Sequence, residues 1–273
     1  MPKPPRDALR APLVSVVVSH FDRKMWLIEA LDSIAQQSFA DFEIIVVNDA
    51  GPDAAELVLG WGRGHPFATR YVHRAVNGGV AAARNTGVRA ARGALIAYLD
   101  DADLWYRDLL GGLVGLLQAR PECGLAYGDA DVIRVAPLLP AFPPPADPRK
   151  WKVNAGLRLA VPFRLDDLKR DDFIVPGGML HRHSLYEAVG PFDESLFVSE
   201  DWDWLLRAAM VTTIERLACP VIVVRIRDDG SNLSADQGAG RRAALDAIEQ
   251  RHGTARLEPK TFWEVAKTYA RRD

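Results

Sequence analysis

Residues 97–105 read AYLDDADLW. An apolar lead, Ala97-Tyr98-Leu99, runs directly into Asp100, Asp101 and Asp103, and Trp105 closes the stretch. Carboxylates this close repel and raise one another's pKa values, so the cluster calls for a positive partner or for good solvation. The plainer use of the same residues is a solvated turn, with Asp103 capping a helix that starts near LWYRDLL. Two other acidic positions invite the same pair of readings. Asp49 ends an apolar run inside NDAGPD, which is itself a strong turn signal. Glu200 and Asp201 open EDWDWLLRAAM, where acids also stabilise a helix N-terminus.

The elements around these residues set where they lie. LVSVVVSHF (13–21) and FEIIVVND (42–49) are short β-branched runs and read as buried strands. Asp22 is suited to cap the helix that follows, which turns Leu27, Leu31, Ile34 and Ala35 inward. A helix is expected over 53–62, a strand over 69–74, an Ala-rich helix over 79–91, a strand over 94–100 and a helix over 109–119. Gly93 and Pro121 punctuate the last two helices. This βα alternation over 13–120 predicts a mainly parallel sheet covered by helices. Ligands of such sheets bind beyond the carboxyl ends of the strands. His20, Asp49 and Asp100 to Asp103 would share that rim.

The second half is less regular. A strand and turn are expected over 123–133, a Pro-rich surface excursion over 135–148, and charged loop over 163–172. A strand over 177–182, a helix over 200–210, a strand over 220–227 and two amphipathic helices over 238–273 complete the pass. His181 and His183 have strand-neighbour spacing that admits a metal pair, although His183 starting the SLYEAVG helix is the preferred reading. Trp202 and Trp204 are two apart and cannot share a helix face, so one of them belongs to the core.

Composition restricts the function classes. The 273 residues carry 34 Lys plus Arg against 36 Asp plus Glu, a net charge of -2, which gives no footprint for nucleic acid. No apolar run approaches the ~20 residues that span a bilayer. The lead MPKPPRDALRAP (1–12) is polar and Pro-rich and reads as disordered, not as a signal peptide. Cys123 and Cys219 lack metal-type spacing, and a cytoplasmic setting is expected. The turn after the first strand, SHFDRKMW, has no glycine, which argues against the G-x-G-x-x-G of a dinucleotide-binding domain; a P-loop is absent as well.

LVSVVVSHFDR, EIIVVNDAG, NGGVAAARNTGVRAARG, YLDDADLW and VGPFDESLFVSEDWDWLLRAA occur in the order and spacing of family 2 glycosyltransferases with the GT-A fold. The resemblance covers about residues 13–235 and rests on five motifs in register, each weak alone. It implies an inverting, metal-dependent transferase that moves a sugar from a nucleotide-diphospho-sugar, with UDP-sugars the first expectation, to an acceptor hydroxyl. A saccharide, a lipid-linked sugar or a metabolite would serve as acceptor, and peripheral membrane contact is compatible with the sequence.

What the resemblance implies for the site follows residue by residue. The family pattern D-x-D-D appears as Asp100-Asp101-Ala102-Asp103, with Ala102 in place of an acid. Mn²⁺ or Mg²⁺ prefers carboxylate and phosphate oxygens and would act as a Lewis acid on the leaving diphosphate. The Ala102 departure leaves open which carboxylate touches the ion; Asp103 is favoured as direct ligand, with Asp101 facing ribose or metal. Asp201, beside Glu200, matches the family's general base. Asp49 resembles the acid that receives the N–H of a uracil-type base. Arg84 resembles the arginine that approaches base or diphosphate. Ser19, His20 and Phe21 end the first strand against the nucleotide, with Phe21 suited to stack. Trp105 and Trp202 are candidates for a sugar platform. Asp229, in RDDGSNLS, falls where a late family loop often carries a His.

These readings divide the chain into a nucleotide-sugar-binding half over 13–135, an acceptor-binding half with the base over 136–235, and C-terminal helices over 236–273. Two alternatives stand beside the transferase. A sugar nucleotidyltransferase would also use acids and a metal, but normally with a Gly-rich basic loop after the first strand. A non-catalytic nucleotide-sugar binder gains from Ala102.

Overall fold

The structure is a computed structural model and describes residues 10–135, 156–227, 232 and 238–270. The β-branched runs become β1 (Val14–His20) and β2 (Phe42–Asn48), buried along their whole length. Helices α1 (Lys24–Ala35), α2 (Ala55–Arg63) and α3 (Gly79–Ala90) alternate with these, with β3 (Ala68–His73) and with β4 (Leu95–Asp100). The four strands pair in parallel in the order β3-β2-β1-β4. Since β2 flanks β1 on one side and β4 on the other, the strand order reverses at β1, and a crevice opens beyond its carboxyl end.

The expected parallel layout holds for this half and changes after it. The chain continues as β5 (Leu104–Trp105), α4 (Leu109–Ala119), β6 (Cys123–Val135), β7 (Gly156–Leu159), α5 (Leu165–Leu168), β8 (Met179–Arg182), α6 (His183–Val189), α7 (Glu200–Ala208), β9 (Thr213–Arg227), α8 (Ala239–His252) and α9 (Phe262–Tyr269). The sheet extends from β4 through β8, β6, β9 and β5, with β7 on β6. β8 runs antiparallel to both β4 and β6, while β6 and β9 are parallel. One mixed sheet therefore carries both halves, and β8 brings the second half directly against β4.

Several local expectations change. Arg23, not Asp22, is the N-cap of α1, and no side chain caps it. β6 runs straight through the expected turn at Gly128, where only a register irregularity remains. β9 starts at Thr213, because its first residues are only part-buried and Pro220 masks the pattern. β5 and β7 are too short for periodicity to register, and the charged loop over 163–172 contains α5. The Pro-rich stretch over 136–148 and Asp229 lie outside the described residues, as does most of the 1–12 lead.

The Ala-rich composition of α3 is explained by its approach to β1. A Cβ on Gly87 would fall 2.2 Å from Val17 Cγ1, so the helix lies closer than a larger residue permits. The same core continues where β8 meets β4. His181 is fully buried there, its Nε2 2.8 Å from the Tyr98 hydroxyl and its ring 4.9 Å from that of Trp204. His183 instead begins α6 with its Nδ1 3.1 Å from the Gly93 carbonyl oxygen, so the two histidines serve separate partners and form no metal pair.

Burial pushes the His181 imidazole down to about 4. The unfolded chain protonates this ring below about 6.5. Its contribution is intact above that pH and is lost as pH falls towards 4, by roughly 2–3 kcal/mol. Urea unfolding at pH 7 and pH 4.5 should therefore show a larger loss for the wild type than for His181→Phe; equal losses would contradict a buried neutral imidazole.

Candidate active site

The carboxyl ends of β1, β2 and β4 bring Ser19, His20, Asp49 and Asp100 to one rim, and the turn after β4 adds Asp101 and Asp103. The turn is fixed by backbone bonds: Asp101 N–H donates to Ser19 O at 3.1 Å and Asp103 N–H to Asp100 O at 3.0 Å. Beside it, Gly51 packs on the backbone of Phe21, where an added Cβ would lie 1.5 Å from the Phe21 carbonyl oxygen. Phe21 itself is 41% exposed, directly after β1.

The rim's acids are met by the protein's own cations. Asp101 is buried with both oxygens engaged, one 2.8 Å from His20 Nδ1 and the other accepting from Arg23 Nη1 at 2.8 Å. Its carboxylate is therefore occupied by the protein's own side chains in this form, where a ribose or metal contact is expected. Asp49 accepts from Arg74 and from Gly78 N–H at 3.1 Å, so its carboxylate is likewise occupied in this form. Asp100 accepts from Ser19 Oγ at 2.9 Å and from Arg84 Nη2 at 3.1 Å. Arg84 Nη1 donates at 2.6 Å to Glu200 at the start of α7. Arg84 is 2% exposed and joins these two carboxylates inside the protein. Burial works against its charge, but Asp100, Glu200 and Asp201 outweigh that and raise its pKa.

The first turn of α7 is the second part of the site. Ser199 precedes it in the left-handed region, with φ 63°, a conformation uncommon outside glycine. Glu200 is buried, and desolvation with the adjacent Asp201 charge pushes it up to about 8 against the pull of Arg84. Asp201 is part-exposed, with one oxygen accepting the Trp202 N–H at 2.9 Å. Asp172, in the loop after α5, has a buried Oδ1 with no hydrogen-bond partner among the described residues; burial and the nearby Asp201 charge raise its pKa well above the ordinary range, against the pull of Arg241.

The aromatic candidates are core residues. Trp105 and Trp202 are 1% and 5% exposed, and their indole N–H groups donate to the carbonyls of Gly177 and Leu168. Trp204, fully buried, donates to Gly190 O. None offers an open face to a sugar. Two apart on α7, Trp202 and Trp204 do point to different partners, but both belong to the core, because the helix end is enclosed on both sides.

Asp103 is the rim carboxylate whose chemistry fits a cation. One oxygen accepts the Arg225 N–H at 3.0 Å, and among the described residues its side chain makes no other hydrogen bond. Burial and the charges of Asp100 and Asp101 push it up to about 7, although Arg225 opposes the shift. The described residues contain no group of three or more His, Cys, Asp or Glu that could hold a metal ion. Mg²⁺ or Mn²⁺ bound mostly by phosphates and water needs only one or two carboxylates. Asp103, with the part-exposed Asp100 behind it, meets that requirement.

Sequence reasoning missed Arg23, Asp172 and Arg225. Arg23 sits two residues beyond the rim strand, and Asp172 is one of several acids in a charged stretch. Arg225 stands in an alternating strand, where its stacking on Trp26 at 4.2 Å and its contact with Glu29 at 2.5 Å could not be inferred.

The sheet, the reversal at β1 and the acid rim define a GT-A glycosyltransferase. The glycosyl transferase family 2 model matches residues 15–158, and the chain belongs to that family. An uncharacterized glycosyltransferase of Bacillus subtilis, YwdF, is 29% identical over 256 residues, covering 91% of this chain and 87% of the relative. Against the next curated relatives the chain spans only 26% and 21% of their length. Among solved structures, S. aureus TarS 1-349 in complex with UDP-GlcNAc superposes with a TM-score of 0.66 at 18% identity, covering 90% of this chain and 68% of that one. The Pyrobaculum calidifontis mannosyltransferase PcManGT, in complex with GDP-Man and Mn²⁺, gives 0.62 at 22% identity, covering 96% and 70%. The enzyme assignment therefore stands, and the nucleotidyltransferase and pure binder are set aside.

Removing a buried cation leaves its partners uncompensated, which costs roughly 3–5 kcal/mol. Arg84→Met should show a loss of that order in urea denaturation, whereas Arg120→Met, at its exposed pair with Glu215, should lose about 1 kcal/mol or less. Equal small losses would contradict the bridging role of Arg84.

Proposed function

We propose that this chain is an inverting, divalent-metal-dependent glycosyltransferase that transfers a sugar from a nucleotide-diphospho-sugar, UDP-sugar first, to an acceptor hydroxyl. The observation that carries the reading is the buried bridge Asp100–Arg84–Glu200, which ties the strand-end rim to the helix bearing Asp201. Residues 13–135 form the donor half and 136–235 the acceptor half, followed by the C-terminal helices of 236–273. The two free cysteines, Cys123 and Cys219, suit a cytoplasmic setting. No helix among the described residues is long and apolar enough to cross a membrane.

In this reading Phe21 stacks on the nucleobase, and the Asp49–Gly78 contact opens to receive its edge. Asp100, part-exposed, faces the ribose. Mn²⁺ or Mg²⁺, held by Asp103, neutralises charge on the departing diphosphate when bound. Asp201 takes the proton of the acceptor hydroxyl as its oxygen attacks the anomeric carbon from the side opposite the diphosphate, which inverts that centre. Asp172, whose carboxyl is pushed up by burial and by the Asp201 charge, would orient Asp201 by donating a hydrogen bond to it. Glu200 is held by Arg84 and serves the site through the position of its helix.

Nucleotide release measured across UDP-, GDP- and dTDP-sugars, with Mn²⁺ and with a chelator, tests this function. UDP-sugar turnover that needs the metal is expected. Asp201→Asn should lower that turnover by about 10²–10⁴-fold while UDP still raises the melting temperature. Turnover surviving in Asp201→Asn would remove the base, and turnover unaffected by the chelator would remove the metal.

A further inference from the structure

The base helix is anchored at every residue of its first turn except one. Glu200, Trp202, Asp203 and Trp204 are all at or below 5% exposure, and each has a partner on a different element. Glu200 is held by Arg84 on α3, Trp202 by the Leu168 carbonyl of α5, and Trp204 by the Gly190 carbonyl that ends α6. Asp201 alone among these five is part-exposed. The fourth anchor, Asp203, is the strongest. It is fully buried, and it accepts from Arg207 Nε at 2.9 Å, Arg251 Nη1 at 2.7 Å and His252 Nε2 at 2.9 Å.

Arg207 belongs to α7 itself and ties it to the Val189 and Pro191 carbonyls at the end of α6. Arg251 and His252 tie it to the C-terminal part of the chain. They are the last two residues of α8, and Arg251 Nη2 also donates at 2.8 Å to Asp193 in the segment leading into α7. One arginine thus spans the approach to the base helix and its first turn. Ser199, strained in the left-handed region, lies between these two points of attachment. A non-glycine residue persists in that conformation only where its surroundings over-determine it. Both α7 and α8 lie beyond the residues matched to the family, 15–158.

We propose that Asp203, gripped by Arg251 and His252, is a positioning residue, and that the C-terminal helix thereby sets the orientation of Asp201. This rests on the reading of Asp201 as the base. Transfer needs the base aligned with the acceptor hydroxyl, and a displacement of about 1 Å far from the chemistry can cost roughly 10²-fold in rate. Three of the donor rim's carboxylates are held away from α7, Asp101 by Arg23, Asp49 by Arg74 and Asp103 by the Arg225 N–H, and only Asp100 shares its arginine with that helix.

The test is steady-state kinetics on full-length protein with the best donor, comparing Arg251→Ala/His252→Ala, Arg251→Lys and Asp201→Asn with the wild type. The double variant should lose about 10–100-fold in kcat, with donor KM and the UDP-induced rise in melting temperature little changed. Arg251→Lys keeps a cation on Asp203 and should recover most of the rate. An unchanged kcat in the double variant overturns the proposal, and so does a parallel fall in kcat and UDP binding, since that reports general loosening. If the double variant does not fold, His252→Gln alone carries the same comparison. Asp201→Asn separates the two levels: activity retained there sinks the base assignment itself, whereas activity lost there but kept in the clamp variants sinks only the clamp.

Discussion

Arg84 is 2% exposed and lies between carboxylates from opposite halves of the chain. Asp100 ends a strand of the parallel half, and Glu200 opens a helix 116 residues from Arg84. A guanidinium buried in this way is tolerable only with its partners in place, and the buried Glu200 depends on it in turn, while Asp100 is part-exposed. The consequence is geometric: the strand-end rim and the part-exposed Asp201 are held at a fixed separation by an arginine that is itself buried.

The charge balance of the rim differs from what the run of acids suggests. Asp101, Asp49 and Asp100 meet Arg23 with His20, Arg74, and Arg84 respectively. Only Asp103 remains short of positive charge, buried and pushed up to about 7. In the proposed reading this arrangement leaves one carboxylate for a cation that would arrive with phosphates. That division also accommodates Ala102, since the ion then needs neither a third acid nor Asp101.

The parallel half was legible because its strands are continuous β-branched runs and its helices are strongly periodic. Asp49, Asp100 and Asp201 were legible as a rim and a helix opening because acids stand out at the ends of apolar segments. Their partners were not. Arg84 reads as a nucleotide contact until the fold brings Glu200 to it, and Trp105 and Trp202 read as ligand platforms until their indole N–H groups are seen on backbone carbonyls. β9 was read seven residues short because a part-buried strand with a proline loses its alternation. The antiparallel insertion of β8 depends on long-range pairing that no local pattern encodes. Motif order located the site, while the contacts that determine what each residue faces are tertiary.

The central claim is that the Arg84 bridge holds the donor rim and Asp201 on either side of one reacting carbon. A crystal structure of the full chain with Mn²⁺ and a non-hydrolysable UDP-sugar measures this directly. The expected result has the ion between Asp103 and the diphosphate, Arg84 still joining Asp100 to Glu200, and the anomeric carbon open to Asp201 on the face away from the phosphates. A nucleotide bound elsewhere on the sheet, or an Asp201 turned away from the sugar with Arg84 released from Glu200, would contradict it.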